Sequence, residues 1–367
     1  MSILALLGLA LIAFGCFTLT VGVPDLAQYA FVPADNDADY LSRMSELGDE
    51  LRDSGAVMTL YGIQNNVLIS DRDETSAMPA ALTAVSKEYF SVCPVRIVSG
   101  DLISSYSIEH HDRVIILDSR LALRLFGSDE PLGNTVRING KSYTVIGTAD
   151  YRRSYGDRAD YAAWVPLGSG EEQPELMVVA ATAGLDNGFL TLYEAACDKV
   201  FGPGTLISLP RERLRAYMPL YLIALVAAIW LLRGLYRLVI WCATRWFGQC
   251  RERLRAVYPR QAIMFIALRV AGFVLLIASV VASFWLIMRF FTHPVLVFVD
   301  WVPEVLVSWG AYRTRFWELL GAAATPVRHV TAEYTVVFFG AFLIRWGTIL
   351  TLIGAVTTLI RHIRSKT

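Results

Sequence analysis

The chain lacks the residue patterns that most enzyme classes need. It has no G-x-S-x-G or H-E-x-x-H motif and no Cys/His arrangement suited to nucleophilic catalysis. Gly-Lys-Ser at residues 140–142 matches the end of a phosphate-binding loop, but Thr135 stands where that motif needs its first glycine. Glu-His-His-Asp at residues 109–112 lacks a further ligand at a zinc-site spacing. We therefore predict no catalytic, cofactor-binding or metal site, and a solvated loop at 109–112.

Cysteine is scarce, with five residues in 367. Cys16 and Cys242 lie in or beside apolar segments, and Cys250 lies among arginines. Cys93 and Cys197 share the mixed segment 25–215. They are free to pair in an oxidising compartment or to remain buried thiols, and the spacing does not decide between these alternatives.

Charge is absent from Met1–Pro24, and this absence predicts a membrane helix. Crossing a hydrocarbon core takes ~20 apolar residues. The run has no basic leading segment and no small-residue cleavage site, so we interpret it as a retained helix rather than a signal peptide. Three more apolar segments follow late in the chain, at residues 216–241, 262–289 and 334–360. The sequence therefore predicts four transmembrane helices.

The formal net charge of zero conceals an asymmetry between the two parts of the chain. Residues 1–215 carry 28 acidic and 17 basic side chains, whereas the remainder carries 5 and 16. The basic residues cluster in segments 242–261 and 361–367, which the positive-inside rule places in the cytoplasm. We therefore expect both termini inside and residues 25–215 and 290–333 outside. We find no basic stripe for nucleic acid.

Arg345 falls within the fourth apolar segment and is expensive there unless it meets a partner or water. One interpretation places it near the outer headgroups, with the span beginning closer to Phe338. The other pairs this intramembrane charge with Asp300 or Glu304. Both stay open.

Local signals predict an α+β fold for residues 25–215. Apolar spacing indicates a helix over 39–54, and Val114–Leu117 is typical of a buried strand. A helix should follow over Asp118–Phe126, capped by Asp118 or Ser119 and ended by Gly127. Two alternating runs flank Asn139-Gly140, which predicts a hairpin with a type I′ turn.

Eight short segments in residues 85–167 occur in an order that resembles the periplasmic core domain of MacB/FtsX-type ABC-transporter permeases. They are VSKEYF (85–90), GD (100–101), VIILDS (114–119), ALRLFG (122–127), PLG (131–133), VRING (136–140), YTVIG (143–147) and AWVPL (163–167). The predicted layout, one span, a large domain and three spans, is also that of this family. The expected fold is a four-helix membrane protein with an α+β extracytoplasmic domain between its first and second spans.

The segment between the second and third spans is similar to the coupling helix of these permeases. Its candidate ATPase-coupling residues are Arg251, Arg253, Leu254, Arg255, Tyr258, Arg260 and Gln261. The resemblance implies a non-catalytic permease in a bacterial inner membrane, dimeric with a second copy or a paralogue. It also implies a separate cytoplasmic ABC ATPase whose work moves the outer domain by mechanotransmission, and a possible envelope partner or substrate at that domain.

Two alternatives accompany this interpretation. The basic segment is a topology signal only, with no partner, or the chain is a membrane-anchored scaffold or sensor whose outer domain binds an envelope partner without nucleotide-driven motion.

Overall fold

The computed structural model describes residues 3–33, 40–128, 131–151, 159–170, 174–182, 187–256, 259–291 and 331–364. The chain divides into two compact units, Met1–Ala216 with Ala322–Thr367 and Tyr217–Gly321. The helices of the first unit are α1 (Ile3–Val21), α2 (Tyr40–Glu50), α3 (Tyr89–Val92), α4 (Ser105–Glu109), α5 (Ser119–Phe126), α6 (Asn187–Phe201), α7 (Leu209–Ala216) and α10 (Ala332–Arg364). Those of the second unit are α8 (Met218–Ala256) and α9 (Pro259–Phe291).

A ten-stranded mixed sheet organises the first unit. Its strands are β1 (Leu26–Phe31), β2 (Met58–Asp71), β3 (Ala77–Val85), β4 (Arg96–Gly100), β5 (Val114–Asp118), β6 (Thr135–Ile138), β7 (Lys141–Asp150), β8 (Ala162–Pro166), β9 (Leu176–Thr182) and β10 (Thr205–Ser208). The order is β10-β1-β9-β2-β3-β8-β5-β7-β4, and β6 pairs with β2 and β7. The β3/β8 and β5/β7 pairs are parallel, and the other pairs are antiparallel.

The elements predicted from local signals are confirmed. The helical face over 39–54 becomes α2 and a short 3-10 turn at Arg52–Ser54. The buried strand is β5, and α5 follows it directly. The Asp118 carboxylate accepts the backbone N–H of Arg120, and Gly127 ends the helix at φ 68°. This left-handed conformation costs glycine no Cβ clash.

The predicted hairpin is also confirmed. Strands β6 and β7 pair antiparallel from Thr135↔Thr144 to Ile138↔Lys141. The two turn residues have positive φ, 50° at Asn139 and 77° at Gly140, as a type I′ turn requires. The turn interpretation of this Gly-Lys-Ser sequence is therefore correct.

Two apolar clusters form the core of the first unit. Helices α2 and α6 pack on β1, β2 and β9, with Tyr29, Leu60 and Tyr193 among the buried residues of that cluster. Helix α5 packs on β2, β5 and β7, with Leu117 and Leu121 fully buried. These clusters cover the sheet with helices α2, α5 and α6.

Four helices are long and apolar enough to cross a membrane, which confirms that number of apolar helices among the described residues. The qualifying stretches are Ile3–Val21, Met218–Gln249, Ala267–Ile287 and Ala332–Thr358. Helix α8 is longer than the predicted apolar segment 216–241. It has 39 residues and continues to Ala256.

Helices α1 and α10 pack antiparallel through glycines spaced by seven residues. A Cβ on Gly8 would lie 2.6 Å from the Gly347 carbonyl oxygen, and one on Gly15 would lie 3.0 Å from that of Gly340. A Cβ on Gly347 would lie 2.7 Å from the Gly8 carbonyl oxygen. Only glycine permits this approach of the two backbones, as in the close packing of membrane helices.

Candidate functional site: the junction between the sheet and two apolar helices

The sheet meets the helices α1 and α10 at a small set of polar contacts. We define the junction by five residues, Asp25, Gln28, Tyr61, Arg213 and Thr331. Gln28 lies on β1 and Tyr61 on β2, whereas Thr331 directly precedes α10 and Arg213 lies on α7. The junction therefore joins elements that are distant in sequence.

A buried polar chain forms the centre of the junction. The Thr331 hydroxyl donates to Gln28 Oε1 at 2.8 Å, and Gln28 Nε2 donates to the Tyr61 hydroxyl at 3.2 Å. Gln28 is 0% exposed, Thr331 1% and Tyr61 3%. Because buried polar groups are costly without partners, the three side chains hold one another in place.

Thr331 also begins helix α10. The backbone N–H of Tyr334 donates to the Thr331 hydroxyl at 3.4 Å, and the N–H of Thr335 donates to its carbonyl at 3.2 Å. The side chain thus satisfies a helix N-terminus, as threonine does at N-cap positions. One residue therefore both starts α10 and ties it to β1.

A second contact joins α7 to the connection between α1 and β1. Arg213 donates to Asp25 Oδ1 at 2.7 Å and to the Val23 carbonyl at 3.4 Å. The Asp25 side chain is 68% exposed, so the ion pair contributes little to stability. The ion pair instead holds the short connection between α1 and β1 in position.

Aromatic and thiol groups surround Tyr61. Its ring lies 5.3 Å from that of Tyr89, edge to face, and burial raises the pKa of the Tyr61 hydroxyl well above its usual value. Burial likewise raises the pKa of the Cys93 thiol to about 12, and the Glu333 carboxylate acts in the same direction. A thiol with this pKa is protonated at neutral pH and is a poor nucleophile.

Cys93 and Cys197 are free thiols in the structure, so they remain separate. Burial raises the pKa of Cys197 to about 12 as well. Neither cysteine therefore has the lowered pKa of a reactive thiol.

The sequence Glu-His-His-Asp at 109–112 lies at the surface, where Glu109 ends α4 and His110 and His111 form a turn. His110 stacks on Tyr106 with ring centroids 3.9 Å apart, and His111 Nδ1 lies 3.2 Å from the Leu167 carbonyl oxygen. Among the described residues, no group of three or more His, Cys, Asp or Glu side chains is placed to hold a metal.

The candidate ATPase-coupling residues lie at the connected ends of α8 and α9, in the second unit. Residues 251–256 form the last turns of α8 rather than a helix of their own, and this segment contains Arg251, Arg253, Leu254 and Arg255. Tyr258 lies outside the described residues, and Arg260 and Gln261 belong to the first turn of α9. The role of these residues stays a prediction.

Arg345 is exposed on α10 next to Trp346, in the first unit. Its proposed partners Asp300 and Glu304 lie outside the described residues. Both interpretations of this arginine therefore stay predictions.

Sequence reasoning missed the junction and the glycine contacts. Gln28 and Thr331 are 303 residues apart, so no local signal joins them. The glycine contact had a signal, because Gly8, Gly15 and Gly22 repeat at seven residues, as do Gly340 and Gly347.

Comparisons with known proteins agree on one family. The model of the MacB-like periplasmic core domain matches residues 2–187. A stretch of 90 residues is 26% identical to the macrolide export ATP-binding/permease protein MacB of Neisseria gonorrhoeae, covering 24% of this chain and 14% of that protein. Another of 89 residues is 32% identical to the probable syringafactin export ATP-binding/permease protein SyfD of Pseudomonas syringae pv. tomato, covering 24% and 13%. The matches thus span about a seventh of these curated relatives.

Two solved structures are similar at low identity. The periplasmic region of MacB from Actinobacillus actinomycetemcomitans has a TM-score of 0.39 at 14% identity, covering 51% of this chain and 91% of that chain. The extracellular domain of the transporter YknZ from Gram-positive bacteria has a TM-score of 0.37 at 16% identity, covering 47% and 92%. The family model, which matches half of the sequence, is the stronger finding. The chain belongs to the MacB-like periplasmic core domain family.

Proposed function

We propose that the chain is the permease subunit of an ABC transporter in a bacterial inner membrane. A separate cytoplasmic ATPase would supply the energy, and the chain would convert it into movement of its outer domain. The family and the four apolar helices support this proposal. The observation that carries it is the junction, which attaches the sheet to two of those helices through the Thr331–Gln28 hydrogen bond and the Arg213–Asp25 ion pair.

The proposed topology has one span, the outer domain and three spans, with both termini in the cytoplasm. In chain order α1 precedes the sheet, and α8, α9 and α10 follow it. The basic segments 242–261 and 361–367 favour this orientation, because positive charge collects on the cytoplasmic side.

Movement would pass from the membrane to the domain through α1 and α10. The close glycine contacts pack these two helices tightly together. We expect the two helices to move as one body and so to transmit displacement better than two independent helices. At its outer end, Thr331 bonds to β1 and Arg213 holds the link from α1. A shift of the pair would therefore move the sheet with it.

The proposed ATPase contact lies where α8 and α9 connect. At 1.5 Å per residue, the 39 residues of α8 span about 58 Å, which exceeds the ~30 Å hydrocarbon core. We place the excess in the cytoplasm, with the arginines at 251, 253, 255 and 260 meeting acidic residues of the ATPase. Leu254 would be the apolar contact, with Tyr258 and Gln261 beside it.

Leu254→Asp tests this function in the full chain. We expect it to abolish co-purification of the ABC ATPase and stimulated ATP hydrolysis in the reconstituted complex, because a carboxylate would be buried at the interface centre. Glu252→Ala, two residues away on the same helix, is the matched control and should leave both unchanged. Unchanged binding and turnover in Leu254→Asp would make the basic segment a topology signal only.

Two further observations separate this function from its alternative. If no ATPase co-purifies with the unaltered chain, the scaffold or sensor interpretation replaces the transporter. Cross-linking of differently tagged copies in membranes tests whether the dimer implied by the resemblance contains two copies of this chain, and its failure would favour pairing with a paralogue.

A further inference from the structure

The segment that forms α8 and α9 carries far more positive than negative charge. Residues 217–291 contain nine arginines, no lysine and a single acidic residue, Glu252. One carboxylate cannot balance nine guanidinium groups within this segment. This excess of positive charge favours an anionic partner.

Two of these arginines lie against tryptophans at the connected end of α8 and α9. The Arg245 guanidinium carbon lies 5.1 Å from the Trp241 ring centroid, and that of Arg269 lies 5.4 Å from the Trp246 ring. The second contact joins the two helices. Such distances are those of cation–π pairs.

Both pairs lie near the limits of the membrane-crossing stretches. Arg245 is four residues before the end of Met218–Gln249, and Arg269 is two residues after the start of Ala267–Ile287. Tryptophan concentrates at this level of a membrane, where an apolar ring meets polar headgroups. The arginine side chains extend to the same layer.

The chemistry of these pairs suits a phosphate. The guanidinium carbon of each arginine lies within cation–π distance of an indole ring, and its N–H groups lie in the guanidinium plane. A guanidinium can present two parallel donors to the oxygens of a phosphate. Both arginines lie within four residues of a limit of the apolar stretches, the level of lipid headgroups, whereas the proposed ATPase contact at residues 251–261 lies beyond those stretches.

We propose that Trp241, Arg245, Trp246 and Arg269 form a binding site for the phosphate headgroup of an anionic phospholipid. The site depends on α8 and α9 crossing the membrane and not on ATPase binding. It gives the connected end of the two helices a defined depth in an anionic leaflet.

The other end of α9 supplies a matched control. Trp285 and Arg289 have the same four-residue spacing as Trp241 and Arg245, and the guanidinium lies 5.2 Å from the ring. Arg289 stands just past the end of Ala267–Ile287, at the opposite end of α9 from Arg269. Its replacement removes the same charge and the same stacking, but not the proposed site.

The test measures which lipids stay bound to the full chain. The protein is reconstituted in mixed phosphatidylcholine and phosphatidylglycerol nanodiscs, released into detergent, and analysed by native mass spectrometry. We expect retained phosphatidylglycerol to exceed its bulk share, and Arg245→Gln and Arg269→Gln each to lower that excess about fivefold. Arg289→Gln should retain it, as should the unaltered chain in excess inorganic phosphate.

Three results would overturn the proposal. The first is that the unaltered chain retains no excess of phosphatidylglycerol. The second is that Arg289→Gln lowers this excess as much as Arg245→Gln and Arg269→Gln do. The third is that Arg245→Gln and Arg269→Gln lose a co-purifying ATPase but keep their lipid selectivity. If either glutamine variant fails to fold, Arg245→Lys or Arg269→Lys replaces it. These keep the charge but lose the planar donors, so partial loss of selectivity supports the site and full retention overturns the proposed bidentate contact with phosphate.

Discussion

Replacing Thr331 by valine removes one hydroxyl from the junction while keeping the shape of the side chain. The hydroxyl donates to Gln28 Oε1 at 2.8 Å and accepts the Tyr334 N–H at 3.4 Å. Gln28 is fully buried, so its amide oxygen would lose a partner with no water to replace it. A buried unsatisfied group costs ~1–3 kcal/mol. We expect a loss of about 2 kcal/mol in the free energy of unfolding.

The measurement is thermal unfolding of the full chain in nanodiscs. A loss of about 2 kcal/mol corresponds to a midpoint lower by roughly 4–8 °C for a domain of this size. Thr335→Val is the matched control, because the Thr335 hydroxyl donates to the Thr331 carbonyl, at 3.1 Å, within the first turn of α10 and not to the sheet. We expect the control to change the unfolding free energy by about 0.5 kcal/mol or less.

A double-mutant cycle decides whether the polar chain is the cause. Gln28→Leu removes the amide, so Thr331→Val in that background should cost only the lost N-cap of α10, ~1 kcal/mol or less, beyond Gln28→Leu alone. An equal cost in both backgrounds would refute the coupling and reduce Thr331 to a helix cap. Tyr61→Phe removes the hydroxyl that accepts a hydrogen bond from Gln28, and its effect on the unfolding free energy should also be mostly lost in the Gln28→Leu background.

Three further predictions concern other parts of the first unit. Gly140→Val should lower the unfolding free energy by about 1 kcal/mol or more, because valine resists the φ of 77°. The control Gly48→Ala, in open space on α2, should leave the unfolding free energy unchanged or raise it. Equal melting midpoints for the two variants and the unaltered chain would disprove the turn. Gly347→Ala should separate α1 from α10 and cost ~1–3 kcal/mol, whereas Gly234→Ala on α8 meets no neighbouring atom and serves as the tolerated control. Cys93 and Cys197, both with a pKa of about 12, should resist alkylation at pH 8 in the folded chain and react once it unfolds. Since folding raises both pKa values above 9, their contribution to stability should be complete below pH 9 and lost as the pH rises toward 12; rapid labelling of native protein at pH 8 would contradict this.

The elements that the sequence predicts correctly depend on neighbouring residues. Asp118 caps α5, Gly127 ends it, and Asn139-Gly140 turns the hairpin, all by interactions within a few residues. The apolar helices are equally local, because crossing a membrane needs only an uninterrupted run.

The length of α8 shows where apolar counting fails. The apolar segment ends near Trp241, but the residues that follow include arginine, glutamate, leucine and alanine, which favour helix. The helix therefore continues to Ala256, and Pro259 opens α9, a position where proline is tolerated. Hydropathy predicts the stretch that crosses the membrane, whereas helix propensity and proline positions predict where the helix begins and ends.

The junction lies outside such reasoning because its partners are 33 and 303 residues apart. A buried glutamine on a strand gives no sign that it will bond to a threonine before the last helix. Only the antiparallel packing of α1 and α10 brings the two together, and that packing had a readable signal in the glycines spaced by seven.

The glycine contacts and the buried polar residues of the junction have different effects, and together they select one arrangement of α1 and α10. A seven-residue shift of α10 along α1, about 10 Å, would bring glycine opposite glycine again, since Gly8 would meet Gly340. The glycine contact alone therefore permits more than one register. In the shifted register Thr331 would leave Gln28, and the buried amide would lose its partner. A single polar contact that sets the register of an apolar interface is well attested in helical bundles. We infer that close approach comes from the glycines and that the Thr331–Gln28 bond selects the register in which displacement of α10 reaches the sheet.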